Sequence, residues 1–140
     1  MLAEICAYLR NWFCDPGDRH IGTFEISDGE LTPSDFLQDG QYFRVIGSIF
    51  NDGVYSFPSA ELHDETFDGA VWAMRIPRQL IELDNEITQY VHNLQSKISE
   101  EGWDMFSSQS FKGYSGTVRD FVEMSWKKKY GPQLAQWRKL

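Results

Sequence analysis

The spacing of the apolar residues changes at Pro77, and this change constrains the fold more than any other feature. Between Ile21 and Pro77, short alternating runs such as Thr23–Ile26 are separated by turn-forming pairs such as Asp28-Gly29. After Pro77 the apolar residues recur three or four positions apart. Alternation is typical of half-buried strands, and the wider spacing is typical of amphipathic helices. The sequence therefore predicts an α+β fold in which a small antiparallel β-sheet is inserted between an N-terminal helix and a long helix.

The chain of 140 residues is expected to form a single domain, because most domains have about 100 to 150 residues. Apolar side chains at helical spacing predict helices near both ends, and Ser and Gly between the last two helices predict an extended arm. The predicted elements are a helix over 2–14, a β region over 21–77, a long helix over 79–100, the arm over 103–117 and a C-terminal helix over 118–130.

One turn inside the β region is especially well marked. Asn51, Asp52 and Gly53 stand between two runs of aromatic and β-branched residues. Asn, Asp and Gly adopt the backbone conformations that tight turns require more easily than other residues do. We therefore predict a structural turn at Asn51, Asp52 and Gly53.

Charge is distributed unevenly along the chain. The net charge is −8, and residues 119–140 carry +4, so that residues 1–118 carry −12. Proteins that read a DNA sequence usually present a basic face, so sequence-specific nucleic-acid binding is not expected. An acidic body and a basic tail favour head-to-tail contact between copies or docking on another charged protein. The alternative is that the basic helix complements its own C-terminal dipole.

Several classes of protein are excluded on simple grounds. The sequence has no apolar run of about 18 residues, so a membrane-spanning segment is not expected. The N-terminus does not resemble a signal peptide, which favours the cytoplasm. There Cys6 and Cys14 should stay reduced, and two cysteines cannot form a zinc site without other ligands.

The acidic cluster Glu61, His63, Asp64, Glu65 and Asp68 is the best candidate for chemistry. Carboxylates beside a histidine could bind a metal or transfer protons, so a small metal-dependent hydrolase using Glu61, His63 and Glu65 is one alternative. The other interpretation is an exposed loop. Because the sequence has no known catalytic or phosphate-binding motif, we expect no enzyme activity, catalytic residue, cofactor or metal.

Aromatic and basic residues near the C-terminus are the candidates for a protein interface. The arm combines Ser and Gly with large apolar side chains, which suits a segment that becomes ordered on a neighbouring molecule. A basic run follows on the C-terminal helix. The predicted interface residues are Trp103, Phe106, Phe111, Tyr114, Lys127, Lys128, Lys129, Trp137 and Arg138.

The sequence resembles a family of small proteins encoded in the virion-assembly regions of tailed phages and prophages of Gram-positive bacteria. The resemblance lies in Phe36–Tyr55, Leu62–Met74, Ile76-Pro77, Ser110–Ser115 and Trp137–Leu140. Family members with an assigned role are head–tail connector or neck proteins.

The resemblance implies a non-enzymatic structural protein of the head–tail junction, made in the host cytoplasm and present in the virion. Its expected partners are copies of itself in a ring on the portal, together with other neck or tail proteins. A tail terminator or an assembly chaperone is an alternative within the same group. A module that binds a host protein through its acidic body is a further alternative.

Overall fold

The computed structural model describes the backbone of residues 1–110 and 116–140, and the side chains of those residues except 107–110. The chain divides into two compact units, one of Leu2–Pro77 and one of Arg78–Leu140 together with Met1. We call Leu2–Pro77 the sheet unit and Arg78–Leu140 the helical unit. The predicted single domain stays a prediction. No helix in the described ranges combines the length and apolar character needed to cross a membrane.

The α+β fold class is confirmed. The sheet unit begins with a short helix, α1, and continues into five strands that form one antiparallel sheet in the order β2-β1-β5-β3-β4. The elements are α1 (Leu2–Leu9), β1 (Arg19–Ser27), β2 (Glu30–Thr32), β3 (Tyr42–Ile46), β4 (Gly53–Ser56) and β5 (Glu65–Ala73).

One face of the sheet carries the apolar core of this unit. Phe24 of β1 pairs with Phe67 of β5, and Val45 of β3 pairs with Val71 of β5. All four side chains are at least 94 % buried, because the alternation of side chains along each strand places them on one face. The predicted central strand is therefore present as β5.

The predicted turn between β1 and β2 is confirmed. Asp28 and Gly29 have φ angles of 52° and 79°, and they form a two-residue loop between Ser27 and Glu30. Positive φ at both positions is the geometry that matches the twist of a hairpin.

Helix α1 ends at Leu9, so the predicted extent of 2–14 is wrong. Arg10 has φ 53°, its N–H bonds Ala7 O at 3.1 Å, and the Asn11 N–H bonds Cys6 O at 3.1 Å. This pair of hydrogen bonds closes a helix C-terminus. Residues 11–14 of the predicted helix are therefore not helical.

The helical unit contains α2 (Arg78–Glu101), α3 (Trp103–Ser110) and α4 (Val118–Leu134). Gly102, with φ 81°, ends α2 as predicted, because this left-handed conformation suits glycine at a helix end. Helix α4 begins at the predicted position, where the Thr117 hydroxyl accepts a hydrogen bond from the Asp120 N–H at 3.1 Å.

Two predictions for this unit are wrong. Residues 103–110 of the predicted arm form α3, in which Trp103 and Phe106 lie on one side and pack near Phe121. Helix α4 continues past Gly131-Pro132 to Leu134 instead of ending at residue 130. The complete burial of Leu134 favours this last turn despite the hydrogen bond that proline cannot make.

Candidate functional site

The loop over residues 47–52, between β3 and β4, is fixed by the carboxylate of Glu65. Glu65 Oε2 accepts a hydrogen bond from the Ser48 hydroxyl, and Oε1 accepts one from the Ile49 N–H at 2.9 Å. The bond from Ser48 is the main cause that lowers the pKa of Glu65, and the Ile49 and Asn51 donors act in the same direction. Glu65 therefore holds the loop most strongly when it is ionised.

Asn51 fixes the other side of this loop. Its side chain is fully buried, and its Nδ2 donates to His63 O at 2.9 Å and to Glu65 Oε2 at 3.0 Å. Its Oδ1 accepts from the His63 N–H at 2.7 Å. The Asp52 carboxylate in turn accepts from the Ser48 N–H at 2.7 Å. The predicted turn residues are therefore brought together, and Asn51 joins the loop to the next one along the chain.

The same loop holds two large apolar side chains in solvent. Ile49 is 84 % exposed and Phe50 is 65 % exposed. A flexible loop could turn such side chains inward. Here the hydrogen bonds of Ser48, Ile49 and Asn51 described above fix the backbone before and after Phe50. A loop whose backbone is already fixed loses little backbone entropy when a partner covers its exposed side chains. We call residues 47–52 the Ile49–Phe50 loop.

A shallow apolar groove on the sheet begins at the same loop. Its volume is about 520 Å³, and its walls include Ile21, Ile46 and Ala70 from three adjacent strands. Ile21 is 85 % exposed although it lies on a strand directly opposite Ala70. Gly47 belongs to both the groove and the loop, so the two features share a boundary.

Glycines let the backbone approach closely at the floor of the groove. A Cβ added to Gly69 would lie 2.1 Å from the carbonyl oxygen of Ile46 and 3.2 Å from Gly47 Cα. Gly47 has φ 88°, a conformation that other residues rarely adopt. These two glycines allow the chain to leave β3 and enter the Ile49–Phe50 loop directly above β5.

Stacked arginines and tryptophans lie next to the groove on the same face of the sheet. The Arg44 guanidinium lies 3.6 Å from the ring centroid of Trp12 and 4.9 Å from that of Trp72. Arg19 lies 4.2 Å from the Trp72 centroid. Cation–π contacts of this kind favour a fixed arrangement of the rings. Trp12, which falls within the predicted helix over 2–14, instead follows α1 and covers Arg44.

The acidic cluster does not converge on one point. Among residues 1–110 and 116–140, no three His, Cys, Asp or Glu side chains are arranged to hold a metal ion. Glu65 binds the Ile49–Phe50 loop, the Asp64 carboxylate accepts from the Gly29 N–H at 3.1 Å, and Asp68 accepts from the Thr23 hydroxyl at 2.5 Å. The carboxylates of Asp64, Glu65 and Asp68 thus join neighbouring segments of the sheet unit.

The structure brings together two of the predicted interface aromatics, but in the interior of the helical unit. Phe106 is 4 % exposed and its ring centroid lies 5.3 Å from that of Phe121, while Trp103 lies 5.6 Å from Phe121. Trp103, a predicted interface residue, is half-buried in this unit. Phe106 is covered by its own chain in this conformation. Phe111 and Tyr114 lie outside the described residues.

The basic candidates lie along and just after α4. Lys127 pairs with Glu123 at 2.5 Å, and Lys129 Nζ lies 4.6 Å from the ring centroid of Tyr90. Lys128 is exposed. Trp137 is half-buried and Arg138 is exposed, at the end of the short turn that follows α4. These side chains are spread along residues 127–138 and do not converge on one point.

Sequence reasoning missed the residues that the structure makes prominent. Ile21, Ile49 and Phe50 were assigned to a strand and a turn, with no role of their own. The available signal was the apolar pair Ile49-Phe50 inside a segment that otherwise contains turn-forming residues. Apolar residues at the tip of a loop have no core to enter, so such a pair suggests a contact surface.

Comparisons with known proteins do not assign the chain to a family. No protein-family model matches the sequence, and no curated protein or solved structure is significantly similar to it.

Proposed function

We propose that this protein is a non-enzymatic structural protein of a tailed-phage or prophage virion, placed at the head–tail junction, which acts by binding other proteins. The observation that carries the proposal is the Ile49–Phe50 loop. Ile49 and Phe50 are exposed on a backbone that Glu65 and Asn51 hold rigid. Aromatic side chains such as that of Phe50 are enriched in protein interfaces.

The composition of the sheet unit supports the same proposal. Residues 2–77 contain thirteen acidic and four basic side chains, a net charge of −9. An acidic surface repels the phosphates of DNA that passes close to it, within a distance of about 8 Å at physiological salt. A protein that surrounds a DNA channel without holding the DNA needs such a surface. The resemblance of Phe36–Tyr55 and Leu62–Met74 to neck proteins agrees with this role.

The test is mass spectrometry of purified particles from the strain that encodes the chain, with separated heads and tails analysed in parallel. The connector proposal predicts the protein in DNA-filled heads, at about the copy number of the portal protein. Recovery with tails alone would place the protein at the tail side of the junction and contradict the connector role. Absence from every particle would contradict the structural role altogether and leave an assembly chaperone as the next hypothesis.

A further inference from the structure

The Ile49–Phe50 loop and the groove together form an apolar surface, with the carboxylates of Asp52 and Asp68 next to it and with Arg19 and Arg44 two residues away from Ile21 and Ile46 on the same face of the sheet. Ile21, Ile46 and Ala70 line the groove, and Ile49 and Phe50 extend from its edge. Asp68 lies in the groove wall, and Asp52 stands in the loop with its side chain exposed. A partner for this surface needs an apolar contact and positive charge in the same segment.

Residues 118–140 of the same sequence meet this requirement, and we call them the basic segment. They carry six basic and two acidic side chains, a net charge of +4, against −9 for residues 2–77. Lys128 and Lys129 are exposed on α4, and Met124, one turn away from Lys128, is 40 % exposed. The segment therefore combines cations with an exposed apolar side chain on one helix.

We propose that the surface formed by the Ile49–Phe50 loop and the groove binds the basic segment of a second copy, so that Asp52 and Asp68 of one copy face Lys128 and Lys129 of the next. The contact joins two different surfaces. It can therefore be repeated from copy to copy and close into a ring. The inference rests on the proposed function, for which it names the partner and the two contact surfaces.

Charge makes this contact dependent on salt and on local concentration. The ion pairs lie at the border of the surface, where dissolved salt screens them, and the apolar area is small. A single contact of this kind is weak, whereas a series of contacts on a template reinforces itself. The contact should therefore be sought at high protein concentration and low salt.

The experiment is zero-length carbodiimide coupling of an equal mixture of unlabelled and ¹⁵N-labelled full-length protein, followed by peptide mass spectrometry. Carbodiimide joins lysine amines to carboxylates that touch them, and peptide pairs with mixed labels arise only between two molecules. We expect mixed-label pairs that connect Lys128 or Lys129 with Asp52 or Asp68. Their yield should fall about tenfold or more in an Ile49→Ser/Phe50→Ser double variant, since two apolar side chains lose their contact.

A matched control and a charge exchange make the result specific. Met105→Ser removes a side chain that is 57 % exposed outside this surface, and it should leave the yield unchanged. Lys128→Glu alone should abolish coupling between positions 68 and 128, and an equal mixture of that chain with an Asp68→Lys chain should yield the reversed pair, in which position 68 supplies the amine and position 128 the carboxylate. Circular dichroism before coupling establishes that each variant is folded.

Three outcomes would overturn the inference: no mixed-label pairs at any concentration, pairs that join other positions, or pairs that survive Ile49→Ser/Phe50→Ser. Particle composition separates this result from the proposed function. If the protein is present in heads but forms no mixed-label pairs of this kind, the function stands and the partner is a different protein. If the pairs form but particles lack the protein, the self-contact stands and the virion role fails.

Discussion

The side chain of Asn51 and the main chain of His63 form a reciprocal pair of hydrogen bonds, in which Nδ2 donates to His63 O at 2.9 Å and Oδ1 accepts from the His63 N–H at 2.7 Å. The Asn51 side chain is fully buried. Two loops that are twelve residues apart in the chain are therefore joined by a single amide. This connection keeps the apolar side chains of the Ile49–Phe50 loop at the surface.

Asn51→Ala should destabilise the protein by about 1–3 kcal/mol, because the N–H and the carbonyl of His63, which form part-buried hydrogen bonds, both lose their partner. Urea unfolding followed by circular dichroism measures this change. Asn51→Asp should be similarly harmful. It keeps the oxygen that accepts a hydrogen bond, but it replaces Nδ2, which lies 3.0 Å from Glu65 Oε2, with a second carboxylate oxygen that repels Glu65. A loss below about 0.5 kcal/mol for both variants would contradict the role of Asn51.

Glu65 should make the stability of the sheet unit depend on pH. Hydrogen bonds from Ser48, Ile49 and Asn51 lower its pKa below the ordinary value of 4.5. A carboxylate whose pKa is lowered by folding stabilises the folded protein at any pH above its ordinary pKa. This stabilisation is lost as the pH falls through the lower pKa that the group has in the folded state. The melting temperature of Glu65→Gln should therefore be lower than that of the wild type at neutral pH, and the difference should shrink below pH 4.5.

Glu61→Gln is the control for this pH experiment, because it removes the same charge from an exposed neighbour. Its melting temperature should follow that of the wild type through the acid range. A difference between Glu65→Gln and the wild type that stays constant down to the acid transition would show that Glu65 does not act through its ionised form.

Gly69→Ala and Gly22→Ala form a matched pair at directly opposed positions of β5 and β1. A Cβ at Gly69 would lie 2.1 Å from Ile46 O, whereas a Cβ at Gly22 would meet no atom within 4 Å. We expect Gly69→Ala to cost about 3 kcal/mol or more, since main chain must move. Gly22→Ala should be neutral or slightly stabilising, because alanine loses less conformational entropy on folding. Equal effects in urea unfolding would contradict the close approach of β3 to Gly69.

Phe106→Ala tests whether α3 belongs to the interior of the helical unit. The side chain is 4 % exposed and packs against Phe121, so its removal should cost about 3–5 kcal/mol. Met105→Ala, at the exposed neighbouring position, should change stability by less than about 0.5 kcal/mol. Thermal unfolding followed at 222 nm measures both. An unchanged stability of Phe106→Ala would instead favour the predicted arm that is free to contact a partner.

Much of the fold could be predicted because it depends on local patterns. Alternation placed Phe24 and Ile26 on the buried face of β1, and the Asp28-Gly29 pair identified its hairpin. Helix ends were harder to predict. The left-handed conformation of Arg10 ends α1 at a residue type that does not favour it, and burial of Leu134 keeps α4 helical beyond Pro132.

The candidate surface could not be predicted because it depends on contacts between distant residues. Glu65 was read as a member of an acidic cluster, and only its hydrogen bond to the Ile49 N–H shows that it fixes another loop. The exposure of Ile21 depends on which strands flank β1. Ile21 stands at the start of the predicted β region over 21–77, and no sequence pattern indicated the groove beside it.

The most direct test of the proposed virion role is the number of copies of the protein per phage particle, measured in particles from the strain that encodes the chain after Ile49→Ser/Phe50→Ser is introduced. The purified double variant should keep the wild-type melting temperature, because both side chains are already exposed. Quantitative mass spectrometry should find its ratio to portal protein about tenfold or more below that of the wild type, while Met105→Ser incorporates normally. Wild-type incorporation of a folded double variant would contradict the claim that this loop is the docking surface.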